Sequence, residues 1–135
     1  MTDWLEYHQE PVQLHSGDWS HWLVRGDIAF QDEHVREAVL DYWVKVLAAW
    51  DEPFNIIGIP TGGTPWADAL RERVATDDTD WFRVAVDDVV TTGASLRGVN
   101  AKLWLVFFDR RPKRTGAPVY AWDTIPLPLE ALSDD

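Results

Sequence analysis

The 135-residue sequence contains no cysteine. Without cysteine the chain forms no disulfide, offers no thiolate ligand to a metal and has no cysteine nucleophile. It also lacks a signal peptide and an apolar run of ~18 residues, the length that crosses a membrane. We therefore expect a cytoplasmic protein without a membrane partner.

Positive charge is also scarce, because 12 lysines and arginines stand against 23 acidic residues, for a net charge of -11. A surface of this sign repels nucleic-acid phosphates, so we expect no nucleic-acid partner. Any phosphate site must then depend on local N–H groups, arginine or Mg²⁺. The sequence has no G-K-[ST] motif, which disfavours a P-loop nucleotide hydrolase.

The length and the 46% share of hydrophobic residues fit one domain around one core. Four apolar runs predict strands of a mostly parallel α/β sheet, over residues 54–59, 82–86, 103–108 and 118–122. Helical spacing of apolar residues predicts a helix over 32–50, starting at Gln31 or Asp32. A second helix is predicted over 66–74, with Thr64 as its cap and Pro65 at its first position. Nine tryptophans are expected in the core, around a pocket or at an oligomer interface.

Two carboxylates, Asp87 and Asp88, follow the strand predicted over 82–86, and a turn of small residues follows them. A short helix is predicted from Ser95. In open α/β sheets, ligands bind beyond the carboxyl ends of the strands. The turn's N–H groups and hydroxyls suit a phosphate, whereas the carboxylates suit vicinal hydroxyls or a divalent metal. The pattern therefore favours a ribose 5-phosphate, over a generic turn or the acidic pair of a phospho-acceptor domain.

A second loop with small residues lies between the strand predicted over 54–59 and the helix predicted over 66–74. It contains Gly62 and Gly63, which allow the backbone to approach an anion closely. Near the start of the chain, residues 12–15 and 21–24 predict two short strands around the turn Ser16-Gly17-Asp18.

Three segments together resemble the type I phosphoribosyltransferases, and the orotate phosphoribosyltransferases in particular. Residues 84–96 resemble the motif that binds phosphoribosyl pyrophosphate (PRPP), residues 58–67 resemble the pyrophosphate loop, and residues 14–22 resemble the amino-terminal hood. The resemblance implies a compact type I phosphoribosyltransferase-like α/β fold, a central mostly parallel sheet flanked by helices with a small hood. It divides the single domain into a hood over 1–30, a core over 31–123 and a tail over 124–135.

The resemblance also implies the function and the site. The family transfers a 5-phosphoribosyl group from PRPP to a nucleobase, here an orotate-like pyrimidine, with release of pyrophosphate, and commonly works as a homodimer with Mg²⁺. Asp87 and Asp88 take the catalytic role, hold the ribose hydroxyls and reach the metal indirectly. By resemblance the 5-phosphate is bound by Val90, Thr91, Thr92, Gly93, Ala94 and Ser95, and the pyrophosphate is bound by Thr61, Gly62, Gly63 and Thr64. His15 is a hood contact where the family has lysine, and a histidine is only partly charged near neutral pH.

The chain departs from the family between the two loops. An acidic connection over 75–80 replaces the longer region that holds a mobile loop and basic residues. Two alternatives therefore stay open, a non-catalytic sensor or assembly subunit that binds PRPP or a nucleotide, and a protein-interaction module. The basic turn from Arg110 to Arg114 is either a solvated turn or a contact with a phosphate or partner. Trp122 and Asp123 are candidates for framing the base.

Overall fold

A computed structural model describes residues 3–50, 52–77, 82–93, 96, 98–111 and 118–130. In chain order the elements are β1 (Leu5–Gln13), β2 (Trp19–Val24), α1 (Gly26–Gln31), α2 (Glu33–Ala48), β3 (Asn55–Gly58), α3 (Gly63–Arg71), β4 (Arg83–Val90), β5 (Leu103–Asp109) and β6 (Val119–Thr124). The α/β fold class predicted from the sequence is confirmed. The boundaries at residues 30 and 123 stay a prediction.

The central sheet has four parallel strands in the order β3-β4-β5-β6. Every residue of β5 is buried, as expected for an interior strand of a parallel sheet, which is covered on both faces. Because all four strands run the same way, their carboxyl ends meet at one edge. The loops after β3 and β4 therefore lie side by side.

The amino-terminal segment folds as an antiparallel hairpin of β1 and β2. Its turn is closed by two backbone hydrogen bonds, from Leu14 N–H to Asp18 O at 2.8 Å and from Gly17 N–H to Leu14 O at 2.9 Å. β1 begins at Leu5, well before the strand predicted over 12–15, and its register is irregular between Tyr7 and Val12. The hairpin is the counterpart of the predicted hood.

Aromatic residues fill the space between the helices and the sheet. Trp66 of α3 stacks on Phe107 of β5 with the ring centroids 5.7 Å apart, and it meets Trp43 of α2 edge to face at 5.5 Å. All three side chains are fully buried. The expectation of core tryptophans is confirmed, whereas no described tryptophan lines the cavity at the carboxyl edge of the sheet.

Helix boundaries differ from the prediction in two places. α3 begins at Gly63 with Gly62 as its N-cap, so Thr64 lies inside the first turn and is not the cap. α1 was not predicted, because its six residues are too few for a helical pattern to emerge. For α2, Asp32 is the N-cap as expected, and its carboxylate accepts from the N–H groups of His34 and Val35.

The strand β4 is longer than predicted and changes the setting of the acid pair. Asp87 and Asp88 lie within β4, which continues to Val90. Asp87 pairs with Val106 and Val89 with Phe108 of β5, so backbone pairing with β5 continues past the carboxylates. Of the helix predicted from Ser95 to Lys102, residues 95 and 97 lie outside the described residues; Leu96 and Gly98 are helical, whereas the chain over 99–102 is not. In the described part of the chain, no helix has the length and apolar character needed to span a membrane.

Candidate functional site

A cavity of about 450 Å³ opens at the carboxyl edge of the sheet. Three parts of the chain line it, which are the hairpin turn, the loop after β3 and the end of β4 with the turn that follows. The lining residues are His15, Ser16, Ile59, Pro60, Thr61, Gly62, Asp87, Asp88, Val89, Thr91, Thr92 and Gly93. The three segments that were singled out in the sequence therefore meet around one space.

Asp87 is the more buried carboxylate of the pair, with 7% of its surface exposed. Burial raises the pKa of Asp87 to about 8, and the neighbouring carboxylate of Asp88 adds to the shift. The backbone N–H of Asp88 donates to Asp87 Oδ1 at 2.8 Å, which lowers the pKa and opposes part of the effect. Burial and the neighbouring acid therefore both favour the protonated form of Asp87.

Asp88 is held between two glycines. A Cβ at Gly62 would overlap Asp88 Oδ2, and a Cβ at Gly26 would lie 2.6 Å from the same oxygen. Because real Cβ atoms essentially never come so close to another atom, both positions require glycine for this arrangement. The backbone N–H of Val89 donates to Asp88 Oδ1 at 2.8 Å and fixes the carboxylate further. The loop after β3 and the start of α1 thus position the second acid of the pair.

The loop after β3 is tied to β4 by close backbone contact. Ile59 N–H donates to Val86 O at 2.9 Å, and a Cβ at Gly63 would lie 2.9 Å from Asp87 Cα. The Pro60–Thr61 peptide bond is cis. Thr61 and Gly62 line the cavity, whereas Gly63 is buried behind it and Thr64 is exposed beside it. Only the first half of the predicted pyrophosphate loop therefore faces the cavity.

The turn after β4 supplies the hydroxyls that the sequence predicted for a phosphate. Thr91, Thr92 and Gly93 line the cavity, and Val90 is buried at the end of the strand. Gly93 has a φ of +88°, a left-handed conformation that favours glycine over residues with a side chain. Ala94 and Ser95, the last two predicted phosphate ligands, lie outside the described residues. Their role stays a prediction.

His15 extends from the hairpin turn to the same cavity, next to Ser16. Its imidazole is the only lining side chain, among the described residues, that can carry positive charge. Several described arginines are engaged elsewhere. Arg71 contacts Asp68 and Ile56 O, Arg25 contacts Asp27, and Arg73 pairs with acids of α2. The described wall of the cavity is therefore poor in cations.

The basic turn is not solvated at its first two positions, which corrects one of the two interpretations. Arg110 and Arg111 are 1% and 5% exposed. Arg111 forms a buried, bidentate ion pair with Asp109, at 2.9 Å from Nε to Oδ1 and 2.8 Å from Nη2 to Oδ2. Lys113 and Arg114 lie outside the described residues. Trp122 packs on Phe107 and not on the cavity, and Asp123 is also absent from its lining.

Four lining residues were missed as site residues in the sequence, namely Ser16, Ile59, Pro60 and Val89. Ser16 stands next to His15 in the hood pattern, so this pattern was the available signal. Ile59 and Val89 are apolar and carry no chemical signal, because only their place beside the loops brings them to the cavity. No group of three or more described acidic or histidine residues could hold a metal alone.

The chain is similar to several solved structures, whereas the comparisons by sequence find no match. No family model matches the chain, and no curated protein does. Among solved structures, the orotate phosphoribosyltransferase of Aeropyrum pernix is 25% identical, with a TM-score of 0.69 over 90% of this chain and 88% of that one. The orotate phosphoribosyltransferase of Mycobacterium tuberculosis, solved with Fe(III) dicitrate, is 16% identical, with a TM-score of 0.64 over 90% of each chain.

A third structure shows the same fold inside a larger protein. The UMP synthase of Leishmania donovani is 18% identical, with a TM-score of 0.68, and the match covers 90% of this chain but only 33% of that one. The chain therefore has the fold of the type I phosphoribosyltransferases. The resemblance to orotate phosphoribosyltransferases that was drawn from three sequence segments is confirmed at the level of structure.

Proposed function

We propose that the protein binds PRPP together with Mg²⁺ and transfers its phosphoribosyl group to a nucleobase, an orotate-like pyrimidine, with release of pyrophosphate. One observation carries the proposal. The acid pair, the turn after β4, the loop after β3 and His15 line a single cavity at the carboxyl edge of a parallel sheet. This edge is where ligands bind in open α/β folds.

The chemistry of the cavity wall matches the parts of the ligand. The N–H groups and threonine hydroxyls of the turn over residues 91–93 suit the 5-phosphate. The backbone of the loop with Thr61 and Gly62 suits the pyrophosphate. The acid pair suits the ribose diol, because protonated Asp87 can donate a hydrogen bond while Asp88 accepts one. His15, in the hairpin turn, is placed to contact the phosphate groups of the ligand.

The donor set fits Mg²⁺ as a metal shared with the ligand. Mg²⁺ is usually held by one or two carboxylates together with phosphate oxygens and water, and Asp88, the less buried acid of the pair, offers a carboxylate beside the proposed pyrophosphate loop. The described residues offer no larger metal cluster. The acid pair would hold Mg²⁺ through ribose hydroxyls or water, and the metal when bound neutralises pyrophosphate charge.

The chain's own contribution to the reaction is positioning and electrostatics. As the bond from C1 to pyrophosphate breaks, positive charge develops on the ribose, and the carboxylate of Asp88 stabilises it at short range. The two flanking glycines hold Asp88 in place, so little reorganisation is needed. A nitrogen of the base then attacks C1 from the open side of the cavity.

A second function is favoured by the scarcity of cations. Among the described residues that line the cavity, no lysine or arginine is present, and the connection between α3 and β4 is short. A sensor or assembly subunit binds PRPP or a nucleotide without turnover. Such a site needs neither cations around the reacting groups nor a longer connection that closes over the cavity. A symmetric homodimer, which is part of the proposal, would supply cations from the partner and favour the enzyme.

Two measurements test the proposal and separate these functions. Saturating PRPP and Mg²⁺, at 100 times the dissociation constant, should raise the free energy of unfolding by about 2.7 kcal/mol. The rise should be absent in Asp87→Asn/Asp88→Asn and present in Asp123→Asn, a control on β6. Release of pyrophosphate with orotate or another base then identifies the enzyme. Binding of PRPP without release of pyrophosphate, whichever base is added, supports the sensor. Absence of binding at millimolar PRPP excludes both functions and favours the protein-interaction module.

A further inference from the structure

A buried arginine joins the hairpin to the sheet. Arg110 is 1% exposed and follows directly on β5. Its Nη1 donates to Trp22 O at 3.0 Å and its Nη2 donates to Ser20 Oγ at 2.8 Å, both in β2. Nη2 also lies 3.5 Å from Leu127 O and 3.4 Å from Pro128 O in the carboxyl-terminal segment. One guanidinium therefore contacts two distant parts of the chain.

The backbone of Arg110 extends the same junction to the proposed phosphate turn. Its N–H donates to Val90 O at 3.0 Å, at the end of β4, and its carbonyl accepts from Leu127 N–H at 3.3 Å. The next residue, Arg111, packs under the turn, where a Cβ on Gly93 would lie 3.4 Å from Arg111 Cδ. The end of β5 thus holds the hairpin against the turn after β4.

A second set of contacts closes the same junction from the outside. Ser20 Oγ donates to Pro128 O at 2.7 Å, Glu130 N–H donates to Trp19 O at 2.6 Å, and His21 Nε2 lies 2.9 Å from Glu130 Oε1. The hydrogen bonds of the Arg110 guanidinium all go to neutral oxygens. Desolvation lowers the pKa of Arg110, and these oxygens offset part of the cost of burying the charge.

Only a short stretch of the hairpin separates Ser20 from the residues that line the cavity. Gln13 pairs with Trp19, and the turn between them is closed by the hydrogen bonds of Leu14. His15 lies in that turn. A shift of β2 on the sheet therefore carries His15 with it.

We propose that Arg110 is a positioning residue that fixes the β1–β2 hairpin on the sheet and thereby holds His15 at the ligand cavity. The effect on a ligand rests on the proposed function, whereas the hold on the hairpin does not. Arg110 itself does not line the cavity, so it acts through His15.

The first test needs no ligand. Amide hydrogen exchange is measured on wild type, Arg110→Met and the matched control Arg36→Met, whose native guanidinium also donates to a backbone carbonyl, that of Phe30. Loss of hydrogen bonds from a charged donor should speed exchange of hairpin amides on the order of 10- to 100-fold, beyond any change in β4 and β5. Equal acceleration across hairpin and sheet overturns the proposal. Arg110→Lys and Ser20→Ala give milder versions, in case Arg110→Met fails to fold.

The second test asks whether the hold reaches the ligand. A double-mutant cycle measures PRPP affinity for wild type, His15→Ala, Arg110→Lys and the double variant. We expect His15→Ala to weaken binding in wild type and to have a smaller effect in the Arg110→Lys background. An undiminished effect of His15→Ala in that background overturns the proposal. If wild type does not bind PRPP, the proposed function fails, and hydrogen exchange alone decides the role of Arg110.

Discussion

Replacement of Asp87 by asparagine should make the free protein more stable at alkaline pH. The carboxyl is 7% exposed, and burial next to Asp88 raises its pKa to about 8. In the unfolded chain an aspartate titrates near ~3.9. Between these two values the native state keeps a proton that the unfolded state has released. The free energy of unfolding therefore falls as pH rises from about 4 to about 8.

The magnitude follows from the separation of the two pKa values. Four units at about 1.4 kcal/mol each set a ceiling of about 6 kcal/mol. Local relaxation and water entry reduce this figure, so we expect about 2–4 kcal/mol. Asparagine carries no charge at any pH and resembles the protonated acid. The stability advantage of Asp87→Asn over wild type should therefore be small at pH 5, where only about one of the four units has been passed, and reach this amount at pH 9.

Urea denaturation, followed by tryptophan fluorescence from pH 5 to 9, measures the difference directly. The control is Asp123→Asn, because the Asp123 carboxylate also accepts from the next backbone N–H at 2.8 Å but has no adjacent acid. This control should keep the pH dependence of wild type. A stability difference between Asp87→Asn and wild type that is the same at pH 5 and pH 9 would refute the reasoning.

Two further substitutions test the packing around the site. Gly62→Ala should displace the Asp88 carboxylate and weaken PRPP binding on the order of 10- to 100-fold, measured by calorimetry. Gly98→Ala, where a Cβ meets nothing within 4 Å, should leave the affinity unchanged, and equal losses in both would exclude the displacement. Asp109→Asn removes the charged partner of a buried ion pair with Arg111, so urea denaturation should show a loss of about 3–5 kcal/mol. A loss below ~1 kcal/mol would show that the pair is replaceable.

The sheet could be predicted because its strands are continuous apolar runs, and this is the pattern of parallel strands with both faces covered. The same rule failed at β4, where two aspartates appeared to end the strand although the backbone continues to pair through Val90. It also failed at β1, whose residues mix charged and apolar side chains around Pro11. Local patterns report side-chain environment, whereas pairing is decided by the neighbouring strand.

The cavity was predictable where the residues carry chemistry, as with Asp87, Asp88 and the threonines of the turn. The burial of Arg110 could not be predicted, because a run of cations usually lies in solvent. Burial is favourable here because oxygens that are distant in sequence, those of Ser20 and Pro128, accept hydrogen bonds from the guanidinium. The close approach of Gly26 to Asp88 is likewise a tertiary contact between residues far apart in sequence. Such contacts leave no mark in local sequence.

Calorimetric titration of the folded protein with PRPP, with and without Mg²⁺, tests the central claim most directly. We predict saturable heat that depends on Mg²⁺ and disappears in Asp87→Asn/Asp88→Asn. Urea denaturation of the double variant should show that it is folded, so that loss of heat reports loss of binding. Absence of heat at millimolar PRPP, with wild type shown to be folded, would contradict the claim.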